Sequence, residues 1–370
     1  MAKASDSASQ GIWYTCAGAD QDVVVSTKAT LSRNLANFPF PSKLDDSESD
    51  RVQSIVFDAF NSLPDADQYQ MTPISFLDEM GNKIVTEREI LFPHEGRREG
   101  IILRNDCRVT CTVNTDDHIK ISAFAPGLGV DVSSSLVYQI DKELQKRIQF
   151  AASHEFGYLN HSVLDCGSGL SFKVKVHLPG LSFLKSIKNI SMNVSKSGFN
   201  FSDCFGAGGG EGVSGFGGTG ASLGSYYCIS TKSSCGGSEL DQMTAMLCTI
   251  QNIVKEERAA RITCVNQYSA TLANCGCRCL ALATNSLFMT LRESIEIISG
   301  VKFVTGFKFI SGIEDRELNA LLYKIQEGHL DFILKEMNFK FDKEIQESYQ
   351  KQIERARALV MCDAFKKVKK

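Results

Sequence analysis

The sequence lacks the features that place a protein in or across a membrane. Among its 370 residues no apolar run approaches the length of a membrane span, and Met1 to Gln10 lack the apolar core of a signal peptide. It also lacks a large excess of positive or negative charge, because 40 basic and 43 acidic residues leave a formal charge of −3. A global field that attracts nucleic acid or an anionic membrane is therefore excluded. We expect a cytoplasmic chain that binds neither, with any phosphate site built locally.

The cysteines lack the spacing of a zinc site. Thirteen are spread along the chain, and the densest cluster (Cys275, Cys277 and Cys279) has neither a CxxC spacing nor a histidine nearby. Without a secretion signal, reduced thiols are the preferred interpretation. We expect packed or surface thiols here, although zinc ligation by the cluster is the alternative, and we predict no metal site.

The chain also lacks a Walker lysine and a GxGxxG between a strand and a helix. Its one glycine-rich stretch, Gly206–Gly220, contains nine glycines in fifteen residues. This composition predicts a mobile surface loop. A simple linker is preferred to a phosphate-binding loop on glycine pattern alone.

The chain contains enough apolar residues, 43%, to bury a large core. Alternating and apolar runs between turn residues predict an antiparallel meander and a further strand: Ile101–Leu103, Arg108–Val113, Ile119–Phe124 and Phe172–Leu178. On the last strand Ser171, Lys173 and Lys175 share one face. A four-residue apolar spacing predicts a helix from Ser133 to Ser153.

After Ser238 the pattern becomes helical. Apolar residues at helical spacing predict one long helix and then four further ones: Ser238–Arg261, Ser286–Ser299, Asp315–Glu327, Leu330–Met337 and Lys343–Cys362. We therefore predict an α+β chain with a sheet domain over residues 13–262 and a small all-α domain over residues 263–370.

Four stretches occur in an order that resembles a known family. Residues 26–35 (STKATLSRNL) are similar to its SSRIRLARNL block, and 114–121 (NTDDHIKI) to NEEDHIRI. Residues 155–171 with 177–179 resemble FGYLTxCPTNxGTGLR and HLP, and 223–230 with Ser238-Glu239 resemble LGNxYQIS and SEED. These blocks resemble the bacterial protein-arginine kinases of the ATP:guanidino phosphotransferase superfamily.

The resemblance implies a guanidino-kinase catalytic fold over residues 13–262, with the C-terminal domain serving dimerisation or regulation, and a homodimer. It also implies transfer of the ATP γ-phosphate, with Mg²⁺, to arginine side chains of proteins. Such chemistry depends on positioning and on cations that hold phosphate oxygens. The nucleotide-binding positions implied by the resemblance, with the two lysines that share the strand face of Ser171, are Ser26, Thr27, Lys28, Ala29, Thr30, Lys120, Ser171, Lys173, Lys175 and Ser202.

Several of these positions depart from the family pattern. Five family arginines become two lysines and three hydroxyl residues, although lysine replaces the bidentate guanidinium imperfectly. A family histidine aligns with Glu89, which we expect to repel phosphate. The candidate catalytic residues become Asp116, as base, and Ser162, in place of the thiol, while Thr115 replaces a neighbouring acid.

Plainer interpretations exist for each of these residues. Lys173 and Lys175 on an alternating strand are usually a solvated face, and Asp116-Asp117 between two strands is a common turn. Ser162 has no general base fixed by sequence, because adjacent His161 points to the opposite face of an extended segment.

The C-terminal region carries a degenerate form of the family's RDxxRA phosphoarginine-binding motif. The candidate phosphoarginine-binding positions are Lys351, Gln352, Arg355 and Ala356, which keep the second Arg-Ala and lose the first Arg-Asp. A helix face that serves solubility alone is the preferred alternative.

One arginine that stabilises the transition-state charge raises the rate roughly 10³–10⁵-fold, and one general base raises it about 10²–10⁴-fold. Losing several such catalytic groups should therefore abolish ordinary turnover. We therefore expect weak or no kinase activity and a regulatory or scaffolding role in protein quality control and stress response. The alternatives are an active protein-arginine kinase, which would need ATP and Mg²⁺, and a nucleotide sensor; without activity we expect no cofactor. The resemblance implies a zinc-finger activator, a Clp-type chaperone and a heat-shock repressor as partners.

Overall fold

The computed structural model describes residues 12–91, 98–206, 222–235, 237–337 and 339–369. Apart from its first residue, the glycine-rich stretch 206–220 lies outside the described residues, so its assignment as a linker stays a prediction. In the ranges described, no helix has both the length and the apolar character that crossing a membrane requires. All thirteen cysteines are free thiols.

An antiparallel sheet forms the centre of the molecule. Its strands lie in the order β2-β3-β4-β5-β1-β8-β10-β9, and β6 and β7 form a separate hairpin. The strands are β1 (Val24–Arg33), β2 (Tyr69–Pro73), β3 (Gly100–Arg104), β4 (Val109–Val113), β5 (Ile119–Pro126), β6 (Ala152–Ser153), β7 (Gly157–Tyr158), β8 (Leu170–His177), β9 (Phe199–Asp203) and β10 (Tyr226–Thr231).

Helices flank the sheet and make up most of the C-terminal region. They are α1 (Asp46–Asn61), α2 (Glu79–Glu87), α3 (Val130–Leu144), α4 (Pro179–Phe183), α5 (Ile187–Lys196), α6 (Glu239–Asn285), α7 (Leu291–Thr305), α8 (Asp315–Lys324), α9 (Glu327–Glu336), α10 (Lys343–Gln346) and α11 (Tyr349–Phe365). The predicted α+β class, the antiparallel sheet flanked by helices and the helical C-terminal region are confirmed.

The alternation along β8 shows how the sequence builds two unlike faces of the sheet. Phe172 and Val174 are 3% and 0% exposed and join the main core. That core lies between the sheet and helices α1, α3, α5 and the first half of α6. Lys173 and Lys175 point to the other face because successive strand residues alternate. This second face is polar and carries the candidate site.

The long helix α6 differs from the prediction, which ended it at Arg261. It continues to Asn285, with a break in its helical geometry at Tyr268. Its buried residues up to Ala260 join the main core, whereas those from Cys264 onward join a second core with α7, α8 and α11. The apolar pattern therefore changes because the helix changes its packing partner. The domain division between residues 262 and 263 stays a prediction, and α6 runs through it.

Other boundaries also moved. Helix α3 ends at Leu144 instead of Ser153, because the chain turns after it and the buried Phe150 pairs with Leu35 in an isolated bridge. The predicted helix Lys343–Cys362 is two helices, since the Ser348 hydroxyl accepts from the backbone N–H of Lys351 and starts α11 anew. The predicted meander of β3, β4 and β5 is confirmed.

Candidate functional site

Three lysines converge on the polar face of the sheet. In the antiparallel register of β1 and β8, Lys28 lies opposite Lys173 and Ser26 lies opposite Lys175. Directly opposed residues share a face and their side chains lie close together. The structure therefore brings Lys28, Lys173 and Lys175 together, and we call them the lysine cluster.

The carboxylate of Glu89 lies within the lysine cluster. The ammonium nitrogen of Lys173 is 2.9 Å from Glu89 Oε1, and that of Lys175 is 3.3 Å from Oε2. Lys28 Nζ donates to the Glu89 backbone carbonyl at 2.7 Å. We expected Glu89 to repel a phosphate. In the structure its carboxylate lies beside the ammonium groups that such an anion would contact.

The pKa values of Glu89, Lys28 and Lys175 are shifted by burial and by their charged neighbours. Burial alone would raise the pKa of Glu89, but the ammonium groups of Lys175 and Lys173 outweigh it and lower the value to about 2. Burial lowers the pKa of Lys28 to about 8, against the attraction of Glu89. For Lys175 the carboxylate overcomes the effect of burial and holds the pKa well above its usual value. Glu89 is therefore ionised at neutral pH.

Glu89 makes the stability depend on pH in the acid range. Because its pKa is depressed from 4.5 to about 2, the stabilisation is present above pH 4.5 and is lost as the pH falls through about 2. We expect Glu89→Gln to lower the free energy of unfolding by up to about 3 kcal/mol near neutral pH. The two proteins should converge near the folded-state pKa. Urea unfolding across this pH range measures the difference, and a pH-independent difference would contradict the assignment.

Aromatic side chains contact two lysines of the lysine cluster, Lys28 and Lys175. The 3₁₀ turn Trp13–Thr15 stacks its indole on Phe124 of β5, with ring centres 5.2 Å apart. Lys28 Nζ lies 5.3 Å from the centre of the Phe124 ring, and Lys175 Nζ lies 5.6 Å from that of Tyr323 in α8. The crevice beside Lys175 holds only about 10 Å³, roughly the space for one water molecule. This crevice, as formed by the described residues, is too small for a nucleotide.

A second charged cluster lies at the turn between β4 and β5. Lys120 Nζ donates to Asp116 Oδ2 at 2.6 Å and lies 3.9 Å from Asp117 Oδ2. Asp117 is 2% exposed, and its Oδ1 accepts from Asn34 Nδ2 at 2.8 Å and from the His161 backbone N–H at 2.7 Å. The candidate base Asp116 is thus paired with the lysine predicted to hold phosphate.

Ser162 lies beside this second cluster. Its hydroxyl accepts a hydrogen bond from the backbone N–H of Leu164 at 3.2 Å. It also interacts by hydrogen bonding with the side chain of Asp165. Burial, and then the charge of Asp117, raise the pKa of Asp165. The structure therefore places Ser162 next to a carboxylate that the sequence analysis did not single out.

The remaining predicted nucleotide positions divide between the two faces. Thr30 lies opposite Ser171 on the polar face and its Oγ1 is 2.9 Å from Ser122 Oγ. Ser202 lies opposite Cys228, which lies opposite Lys175, so it belongs to the same face. Thr27 and Ala29 do not: Thr27 Oγ1 donates to the Gly127 carbonyl at 2.7 Å, and Ala29 is in the main core.

The degenerate C-terminal motif lies on α11. Lys351 pairs with Glu344 at 2.5 Å, and Gln352 Nε2 donates to the Gln346 carbonyl at 2.9 Å. Arg355 donates to the backbone carbonyl of Leu287 at 3.1 Å. Ala356 is 2% exposed and packs in a small core. The structure does not bring these four residues together around one anion-sized space.

Sequence reasoning missed the residues that close the site. Tyr323 lies far along the chain from Lys175, and the Asn34 amide contacts Asp117 across the end of the sheet. The one signal in the sequence for Glu89 was that it aligns with a family histidine. Nothing in the sequence predicted its contacts with Lys173 or Lys175. Within the described ranges, no group of three or more Cys, His, Asp or Glu side chains lies so as to hold a metal ion.

The fold is that of a guanidino kinase. The duplicated taurocyamine kinase of Schistosoma mansoni superposes with a TM-score of 0.56 at 18% identity, covering 77% of this chain and 41% of that one. A lombricine kinase gives 0.55 at 17% identity, covering 69% and 71%. This chain thus spans about two fifths of the length of the duplicated enzyme, and these likenesses establish the fold.

The family follows from the sequence comparisons. Residues 51–260 match the model of the ATP:guanido phosphotransferase C-terminal catalytic domain, and the chain belongs to this family. It is 24% identical over 323 residues to the protein-arginine kinase of Geobacillus sp., covering 86% of each chain. With that of Clostridium acetobutylicum it is 25% identical over 325 residues, covering 87% of this chain and 92% of the relative. The resemblance to bacterial protein-arginine kinases is confirmed.

Proposed function

We propose that this chain is a regulatory member of the ATP:guanido phosphotransferase family with weak or no phosphoryl transfer. The observation that carries the proposal is the engagement of its candidate phosphate-holding lysines by its own carboxylates. Lys173 and Lys175 hold Glu89, and Lys120 holds Asp116. A phosphate would have to displace these anions before it could be bound.

The chemistry of the residues adds to this proposal. Phosphoryl transfer needs cations that grip the transferred group through the reaction, and arginine does this bidentately. Lysine offers a compact point charge on a flexible stem. Burial lowers the pKa of Lys28 to about 8. A larger fraction of this lysine is therefore uncharged near neutral pH than for an exposed lysine. The lysine cluster is therefore better suited to static anion binding than to transition-state stabilisation.

The alternative is an active kinase that transfers the ATP γ-phosphate to arginine residues of proteins. One observation favours it: Lys28, Lys173 and Lys175 share one face, so they would offer three cations to a phosphate chain if Glu89 moved away. Asp116 would act as base and Ser162 would replace the family thiol. If the chain is active, ATP with Mg²⁺ is the proposed ligand of the polar face, and Mg²⁺ would be held mainly through the phosphates.

The remaining features of the proposed role come from the family resemblance. They are a homodimer, and a zinc-finger activator, a Clp-type chaperone and a heat-shock repressor as partners in the stress response; a cytoplasmic location is proposed from the sequence pattern instead. Phosphoarginine recognition by α11 is proposed on the same ground. Each is an independent question for binding experiments.

Phosphoarginine formation tests the proposal. We expect the purified chain, given Mg-ATP and an arginine-rich protein such as protamine, to produce little or no phosphoarginine above a no-enzyme control. An active bacterial protein-arginine kinase serves as positive control. Phosphoarginine formed at a rate comparable to that of the positive control, and lost in the Asp116→Ala variant, would refute the proposal and establish the alternative. Calorimetry with Mg-ATP, using the Lys28→Ala, Lys120→Ala double variant as control, shows separately whether the nucleotide binds.

A further inference from the structure

The segment that carries Glu89 is attached to the C-terminal helical region. Helix α2 ends at Glu87, two residues before Glu89. The Glu87 carboxylate accepts from the Gly328 backbone N–H at 2.9 and 3.0 Å, at the N-terminal end of α9. Lys83 Nζ, one turn earlier in α2, lies 2.9 Å from Glu327 Oε1. Two adjacent residues of α9 therefore hold α2.

The attachment between α2 and α9 is close as well as polar. A Cβ on Gly328 would lie 2.9 Å from a Glu87 carboxylate oxygen and 3.0 Å from the Ile84 backbone nitrogen. Any side chain there would push the two helices apart. The glycine thus permits a backbone approach that sets the position of the C-terminal end of α2.

The short connection from α2 to Glu89 leaves little freedom. Glu89 has φ of 55°, a conformation that costs non-glycine residues roughly 1–2 kcal/mol. It persists because both sides are fixed, by α9 through Glu87 and by the lysine cluster through the Glu89 carboxylate and carbonyl. Moving α2 away from α9 must therefore move Glu89 relative to the lysines.

Helix α9 in turn depends on α11. Leu330 of α9, which is fully buried, packs with Ile353 and Ala356 of α11 in one small core. The C-terminal helices thus define where α2 can dock. A continuous set of packed elements leads from α11 to the lysine cluster.

We propose that Glu89 is a built-in competitor for anions at the lysine cluster, and that docking of α2 on α9 controls its occupancy. Oligophosphate binding at the cluster and the α2–α9 contact then oppose each other, so each weakens the other by the same factor. This rests on the proposed function, since it assigns the regulation of the same polar face.

Calorimetric titration with inorganic tripolyphosphate tests the competition without requiring any catalysis or adenine recognition. We expect Glu89→Gln to raise the affinity roughly 5- to 150-fold over the unchanged chain, the usual range for coupled sites. Adding Lys175→Met to Glu89→Gln should remove that gain. An unchanged affinity in Glu89→Gln, or a gain that survives Lys175→Met, would overturn the proposal.

The control by α9 needs variants that leave the lysine cluster intact. Glu87→Gln weakens the polar contact and Gly328→Ala crowds it, so both should raise tripolyphosphate affinity, though less than Glu89→Gln. Glu336→Gln, on an exposed position of α9, is the matched control and should change nothing. Circular dichroism confirms that each variant is folded.

Hydrogen exchange supplies a second readout on the unchanged chain. Tripolyphosphate should speed exchange of the α2 amides, because binding displaces Glu89 and loosens the α2–α9 contact. Wild-type affinity in both Glu87→Gln and Gly328→Ala, with unchanged α2 exchange, would refute the coupling even if Glu89→Gln gained affinity. Phosphoarginine production by the wild type at the rate of an active kinase would refute the proposed function alone, since this titration does not depend on catalysis.

Discussion

Replacing Asp141 by alanine is expected to lower the free energy of unfolding by about 3–5 kcal/mol, because it leaves a buried guanidinium without its counter-charge. Arg33 is 1% exposed, and its Nε lies 2.9 Å from Asp141 Oδ1. The same guanidinium donates to the backbone carbonyls of Ser32 and Ser168 and lies over the ring of Tyr158 at 3.5 Å. The ion pair thus joins β1, α3 and the loop before β8.

A matched double variant separates the unpaired charge from the loss of packing. Arg33→Met with Asp141→Leu removes both charges and keeps apolar volume, and replacements of this kind are often neutral or stabilising. We expect it to be clearly more stable than Asp141→Ala. Guanidinium chloride unfolding of the three proteins measures this, and equal losses in both variants would show that the charge is not the cause.

Gly169→Ala is expected to lower the free energy of unfolding by about 3 kcal/mol or more, the second largest loss. It adds a steric clash to an unfavourable backbone conformation. Gly169 has φ of 66°, and an added Cβ would lie 2.7 Å from the Ser32 carbonyl oxygen and 2.8 Å from a guanidinium nitrogen of Arg33. The Ser32 N–H also donates to the Gly169 carbonyl at 3.0 Å. The clash would therefore displace the junction of β1 and β8 that aligns the lysine cluster.

Gly198→Ala is the matched control for this glycine. Its φ is 85°, also in the left-handed region, but no atom lies within 4 Å of the added Cβ. We expect a loss of only about 1–2 kcal/mol, the cost of the backbone conformation alone. Thermal or urea unfolding compares the two variants, and equal losses would mean that the contact with Ser32 and Arg33 contributes nothing.

The lysine cluster shows how a carboxylate on the same sheet face limits what its ammonium groups can bind. On an antiparallel sheet face, a phosphate group and a carboxylate compete for the same ammonium groups. The carboxylate of Glu89 is part of the chain, so its effective concentration is high and it needs no diffusion. An external phosphate must bring more binding energy than Glu89 supplies. The energetic difference between Glu89 in place and Glu89 displaced therefore decides whether this face binds a nucleotide.

The sequence by itself determined the family, the antiparallel meander of β3, β4 and β5, and the faces of β8. Alternation along β8 placed Ser171, Lys173 and Lys175 together, because strand side chains repeat every two residues whatever surrounds them. The ordered motif blocks carried the guanidino-kinase likeness, since they mark the turns and strands of one fold. These are local properties, so a single sequence suffices for them.

Only the tertiary structure decided what those residues contact. It brought Glu89, from the segment after α2, between Lys173 and Lys175, and it placed Tyr323 of α8 over Lys175. It also made α6 longer than predicted, because the second half of that helix packs on the C-terminal helices instead of the sheet. Such contacts join residues far apart in the chain, and their geometry depends on how whole elements pack, which no local pattern encodes.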